Sequence, residues 1–184
     1  RVLKARGFVP EAEQALKEAR QLGPTACQTL EQLVDFRREQ QDVRGAMAAA
    51  AELRTCNPYS DRYAEELVDA AQLPEAAREY QRLLKLEPES IEWQFALAKV
   101  LLARRSSKDA ALAESLHQSL DQLGGGYIEV TVRAAIAQVL DGAGQTDRAD
   151  SERARALQSL AIRVDHIADP ALRAQYRNSQ IPSA

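Results

Sequence analysis

The sequence predicts an all-α chain, an α-solenoid of antiparallel helix pairs stacked in series. Three observations carry this reading. Helix formers dominate: Ala, Leu, Gln, Glu and Arg recur throughout the 184 residues while aromatics make up only 5%, a mixture suited to closely packed helices rather than pleated sheets. One helix is written three times, in Pro10-Glu11-Ala12 to Pro24, Val43-Arg44-Gly45-Ala46 to Pro58, and Pro74-Glu75-Ala76 to Pro88. In each, a small residue is followed four later by Leu16, Ala50 or Tyr80, seven later by Ala19, Leu53 or Leu83, and twelve later by proline. The prolines stand 34 and then 30 residues apart, so the period survives the loss of about one helical turn.

Breakers and period together place helices at about 10–22, 26–40, 42–55, 60–71, 74–86, 90–104, 107–122, 127–142 and 145–163, with a terminal one from Pro170 to Arg177. Asp169-Pro170 supplies an N-cap and a favoured first helical residue, and Ser60, Ser90 and Ser107 are expected caps earlier. Gly124-Gly125-Gly126 ends one helix. The stretch Ile128-Glu129-Val130-Thr131-Val132 alternates as a half-buried strand would, but the repeat count puts it at the start of a first helix.

A helix-turn-helix unit of this length, with Ala, an apolar or aromatic residue, Ala and Pro at these offsets, resembles the second helix of the tetratricopeptide repeat (TPR) family. The family's first-helix pair, a Leu followed by a small residue, is matched by Leu33-Val34, Leu67-Val68, Leu97-Ala98 and Ile136-Ala137. Gly144 and Ala149 stand where its turn glycine and second-helix alanine belong. The repeats depart from the pattern in lacking the family's Trp at its usual place and in having Arg153 where an aromatic is normal. The resemblance covers most of the chain and implies a right-handed solenoid of about four to five repeats.

A single helical hairpin cannot bury its apolar stripe, so hairpins stack, and Ala12, Ala46, Ala76 and Ala149 are the expected points of close backbone approach. The expected organisation is a repeat array over 1–163 followed by a capping helix and tail over 164–184, with Leu172 and Tyr176 covering the open end of the stack. The Asp169-Pro170-Ala171-Leu172-Arg173 stretch also resembles the closing segment of TPR regions in large bacterial regulators attached to ATPases, cyclases or kinases. That resemblance implies a regulatory part of a larger bacterial protein. The chain does not begin with Met, which fits a piece of a longer one.

The net charge is −3, from 24 basic and 27 acidic residues, which leaves no surplus to neutralise a nucleic-acid backbone. No apolar run approaches the roughly 18 residues of a membrane span. Catalytic and metal-binding groups are sparse: His117 and His166 read as structural histidines, and the sequence has no CxxC, no HExxH and no paired histidines at ligand spacing. No catalytic residue, cofactor or metal is expected. Gly124-Gly125-Gly126 lacks the preceding strand and the following Lys-Ser or Lys-Thr of a phosphate loop and reads as a connector. Acidic pairs such as Glu65-Glu66 read as solvated helix faces. Cys27 opens the first helix of its repeat and Cys56 closes the second, ends that are neighbours in an antiparallel hairpin. Two free thiols packed side by side are nevertheless expected, as is common in cytosolic chains, the compartment this reading favours.

Function is therefore sought in the concave groove that the resemblance implies, lined by first helices. Its positions here are Glu31 and Asp35, then Arg62, Glu65 and Asp69, then Phe95 and Lys99. The carboxylates fall at i, i+4 on successive helices and predict an acidic strip beside an aromatic anchor. The expected ligand is a protein segment with Lys or Arg next to a hydrophobic residue. The alternative for these residues is a solvated charged face neutralised by Arg38, Arg62 and Lys99. The alternative function is a structural or self-assembly element that docks through the exposed end of its stack.

Overall fold

These signals become nine α-helices among the described residues of the computed structural model, which are 14, 18, 26–123 and 126–180. In chain order they are α1 Ala26–Glu39, α2 Val43–Cys56, α3 Arg62–Asp69, α4 Leu73–Leu86, α5 Ile91–Arg104, α6 Ala110–Leu123, α7 Glu129–Gly142, α8 Thr146–Asp165 and α9 Pro170–Gln180. Short 3-10 turns at Ser107–Asp109 and Gly126–Ile128 lead into α6 and α7. No strand occurs among the described residues, and the alternating stretch 128–132 runs from a 3-10 turn into α7. The helix expected at 10–22 lies outside the described residues except for Gln14 and Glu18, both helical and joined by a 2.7 Å hydrogen bond from Gln14 Nε2 to Glu18 Oε1. The chain divides into two compact units, Arg1–Glu79 and Tyr80–Ala184, the boundary falling within α4.

In the first unit α2 packs against both α1 and α3. Leu33, Val34 and Phe36 from α1 meet Ala49 and Ala50 from α2, with Tyr63 of α3 against the same cluster. The repeated small residues act as expected: Ala46, Ala76 and, in the second unit, Ala149 are completely buried. The two-residue signatures hold at Leu33-Val34, Leu97-Ala98 and Ile136-Ala137, all buried, but not at Val68, which is exposed. Successive helical residues differ by about 100° in direction, and the narrow stripe of the short α3, Ala64 with Leu67, leaves Val68 facing out.

The free-thiol expectation is overturned: Cys27 and Cys56 form a disulfide, leaving no free cysteine. The antiparallel hairpin is the cause. It sets the first turn of α1 beside the last turn of α2 with their Cα atoms 5.7 Å apart, inside the span a disulfide bridges without backbone movement.

Each turn from a first to a second helix contains one left-handed residue: Gln41 at φ 58°, Ala71 at 56°, Arg105 at 49° and Gly144 at 74°. Only the last is glycine, so three of these four turns carried no composition signal. Ser90 caps α5 as expected, its Oγ accepting from Trp93 N, and Asp169 Oδ1 caps α9 by accepting from Ala171 N and Leu172 N. Ser60 Oγ accepts from Arg62 N at the start of α3, although the N-cap position itself is Asp61, which makes no side-chain cap bond. Ser106 rather than Ser107 caps the first 3-10 turn.

In the second unit α7 is the central helix, contacted by α5, α6 and α8, while α9 returns against α8. Val130, Leu160 and Val164 form a cluster on which Tyr176 of α9 packs, and the Arg173 guanidinium ties α9 down by donating twice to the Ile167 carbonyl, at 3.0 and 2.8 Å. Tyr176, expected to help cover the end of the stack, is partly buried against this cluster. Leu172, expected to share that role, is exposed instead.

Candidate functional site

In the first unit the predicted groove residues of α1 and α3 are joined by two arginines. Arg38 Nη2 donates to Asp69 Oδ2 at 2.7 Å, and its other nitrogens lie 3.1 Å from Glu66 Oε1 and 3.5 Å from Glu65 Oε2. Arg62 reaches Asp35 Oδ1 and Glu65 Oε2, both at 3.3 Å. Asp35, Arg62 and Glu65 are half-buried, whereas Glu31 and Asp69 are exposed. The aspartate and glutamates beside Arg38, led by the Asp69 hydrogen bond, hold its guanidinium pKa above the ordinary value.

Glu66 corrects the reading of Glu65-Glu66 as a solvated pair. It is only 1% exposed, and its Oε1 faces Arg38 without the alignment of a hydrogen bond. Burial pushes its carboxyl pKa up, against the pull of Arg38. The folded state therefore binds this proton more tightly than the unfolded chain does. The stability tied to the protonated form is complete below the ordinary glutamate value and is lost as pH rises through the raised folded value. Glu66→Gln is expected to make the first unit more stable than the parent at neutral pH and to give no gain in acid below the ordinary glutamate range. Urea unfolding followed by circular dichroism at both pH values checks this, and a variant weaker at neutral pH would show that the Arg38 pairing outweighs burial.

The other two predicted groove residues belong to the second unit. Phe95 is half-buried on α5, and the exposed Lys99 one turn later places its Nζ 5.5 Å from the ring centroid, so a cation already occupies one ring face. Gln138 of α7 donates to the carbonyls of Leu101 and Leu102, tying α7 to α5.

The second unit also holds a polar network that sequence reading missed. The Arg133 guanidinium, buried on α7, donates to Glu129 Oε1 at 2.9 Å and to Glu152 Oε2 at 2.8 Å. His117 stands between two carboxylates, Nδ1 at 3.1 Å from Glu152 Oε1 and Nε2 at 3.3 Å from Asp121 Oδ2. Burial pushes the Glu129 carboxyl pKa up, but hydrogen bonds from Arg133 and Ser159 with the nearby guanidinium charges outweigh it and hold the pKa below the ordinary value. Burial likewise depresses the Arg133 pKa, and its bonds to Glu129 and Glu152 more than compensate. The available signals were within-helix pairs: Arg133 four residues after Glu129 on a helix otherwise apolar nearly all round, Asp121 four after His117, and Arg155 three after Glu152. The links from Glu152 to Arg133 and His117 gave none, because they join different helices. Among the described residues no group of three His, Cys, Asp or Glu is placed to hold a metal, and no helix is long and apolar enough to cross a membrane.

No protein-family profile matches the chain, and no curated protein sequence does so. Solved structures do. A crystal structure of MamA superposes with a TM-score of 0.63 at 15% identity, covering 89% of this chain and 95% of its own. A tetratricopeptide repeat protein from Parabacteroides merdae ATCC 43184 superposes with a TM-score of 0.60 at 16% identity, covering 97% of this chain and 68% of its own. The chain has a TPR-like, all-α fold.

Proposed function

We propose that this TPR-like chain is a protein-interaction module, and that its first helices hold a partner segment carrying Lys or Arg beside a hydrophobic residue. Such folds present helix surfaces rather than a reaction centre, so the function rests on what those surfaces attract. The observation that carries the reading is the charge imbalance across α1 and α3. Glu31, Asp35, Glu65 and Asp69 stand there with Arg38 and Arg62, and Arg38 also serves the buried Glu66. Two guanidiniums do not neutralise five carboxylates, and the exposed Asp69 and Glu31 keep acceptor capacity for a basic ligand. In the second unit Phe95 is proposed in its own right as an apolar anchor, with a ligand cation competing for the ring face that Lys99 covers. The Asp169 to Arg173 stretch supports a regulatory role within a larger bacterial protein.

Peptides with Lys followed by Leu in a Gly/Ser background provide the test, titrated against the whole chain by fluorescence anisotropy. Phe95→Ala is expected to weaken binding about tenfold, or roughly 1.4 kcal/mol. Glu65→Lys combined with Asp69→Lys is expected to weaken it most at low salt, because partly exposed charges are screened. If both variants bind like the parent while changes on α8 or α9 abolish binding, the groove is not the binding surface.

A further inference from the structure

The second unit carries a cleft that the groove reading does not use. Its apolar half, about 520 Å³, is walled by Tyr127 from the 3-10 turn before α7, Ile162 on α8 and Tyr176 on α9. Tyr127 is 63% exposed and Ile162 55%. Ile162 is left outward because Leu160 and Val164 on either side of it turn into the core. The second half, about 510 Å³, mixes polar and apolar surface and is lined by Arg155, Arg163, Ser159 and Arg133 together with the Glu129 carboxylate. The halves adjoin, with Gly126, Ile162 and Arg163 lining both.

The arginines at the seam are only loosely engaged. Arg163 approaches Glu129 no closer than 3.7 Å, and its Nη1 is buried with no hydrogen-bond partner. Arg155 is 47% exposed at its side chain and stands 3.6 Å from both Asp121 and Glu152, carboxylates already contacted by Arg133 and His117. The Arg163 side chain is 21% exposed and that of Arg155 47%, so both keep donors that an incoming anion can meet. An anion alone would leave the Tyr127 and Ile162 surface uncovered. A group that satisfies both halves joins an apolar side chain to a carboxylate.

We infer that this cleft docks an extended segment of a partner protein in which an aromatic or aliphatic residue is followed directly by Asp or Glu. The apolar side chain enters between Tyr127, Ile162 and Tyr176. The carboxylate bridges Arg163 and Arg155, with Ser159 Oγ at the same wall. This chemistry is opposite in charge to that of the α1–α3 surface, so the two sites select different ligands and stand or fall separately.

A random peptide library displayed on phage and selected against the whole chain tests the assignment. The expected result is an apolar-acidic consensus, seen in a synthetic peptide of that consensus as perturbation of the Ile162 methyl signals and the Arg163 guanidinium Nε–H signal by NMR. Arg163→Glu and Ile162→Asp should each cut its affinity at least tenfold. Arg155→Glu, more exposed and less apt to disturb folding, should cut it several-fold, while Glu65→Lys with Asp69→Lys leaves it unchanged. Recovery of no apolar-acidic class, or of one whose binding survives Arg163→Glu and Arg155→Glu in variants with the parent's circular dichroism, overturns the inference. A basic-apolar class lost only in the Glu65 and Asp69 variant would support the groove alone.

Discussion

Glu152→Leu is expected to lower the stability of the second unit by roughly 3 kcal/mol, the lower end of what breaking a buried ion pair from one side costs. Glu152 is buried on α8, accepts from Arg133 Nη1 and faces His117 Nδ1. Its loss leaves the buried Arg133 with Glu129 as its one close carboxylate, Asp121 lying 3.9 Å away, and removes one of the two carboxylates that flank His117. Most of the loss comes from stranding a desolvated cation, so removing that cation too should recover much of it. Arg133→Met in the Glu152→Leu background is expected to be clearly more stable than Glu152→Leu alone. Urea unfolding of the parent, both single variants and the double variant reads the coupling directly. A double variant that simply sums the two single losses would mean that the network's members act independently.

Reducing the Cys27–Cys56 disulfide, or replacing both cysteines with Ser, should destabilise the first unit by roughly 3–4 kcal/mol, from the chain entropy released by opening a loop of 29 residues' separation. The bond fastens the start of α1 to the end of α2, so the α1–α2 hairpin is the part expected to open first on reduction. Urea midpoints with and without reductant measure the effect, and thiol counting after denaturation gives the state beforehand. No titratable thiols are expected in the oxidised protein. Two would show that the chain is isolated reduced, and equal midpoints would show that the bond constrains little. An oxidised protein would also point to folding in an oxidising compartment, against the cytosolic expectation.

The sequence by itself determined the repeat architecture, because the signals are local and periodic. Small residues at Ala46, Ala76 and Ala149, apolar partners a turn or two away, and prolines after the helices all report the phase of one chain segment, and every described one of those alanines is buried. Caps were legible to within a residue for the same reason. Only the tertiary structure decided matters that depend on which helices become neighbours. Glu66 looks like Glu65 in the sequence, yet a rotation of about 100° along α3 turns one carboxylate into the interior beside Arg38 of α1. Glu152, Arg133 and His117 sit on three helices and meet only after packing. The left-handed turns at Gln41, Ala71 and Arg105 are imposed by helix pairing on residues that do not favour them. Cys27 and Cys56 were read as neighbours, but whether they bond turned on a Cα separation that no periodicity encodes. A helical period fixes which face a residue occupies, whereas the charge, the partner and the depth it finds there are properties of the adjoining helix.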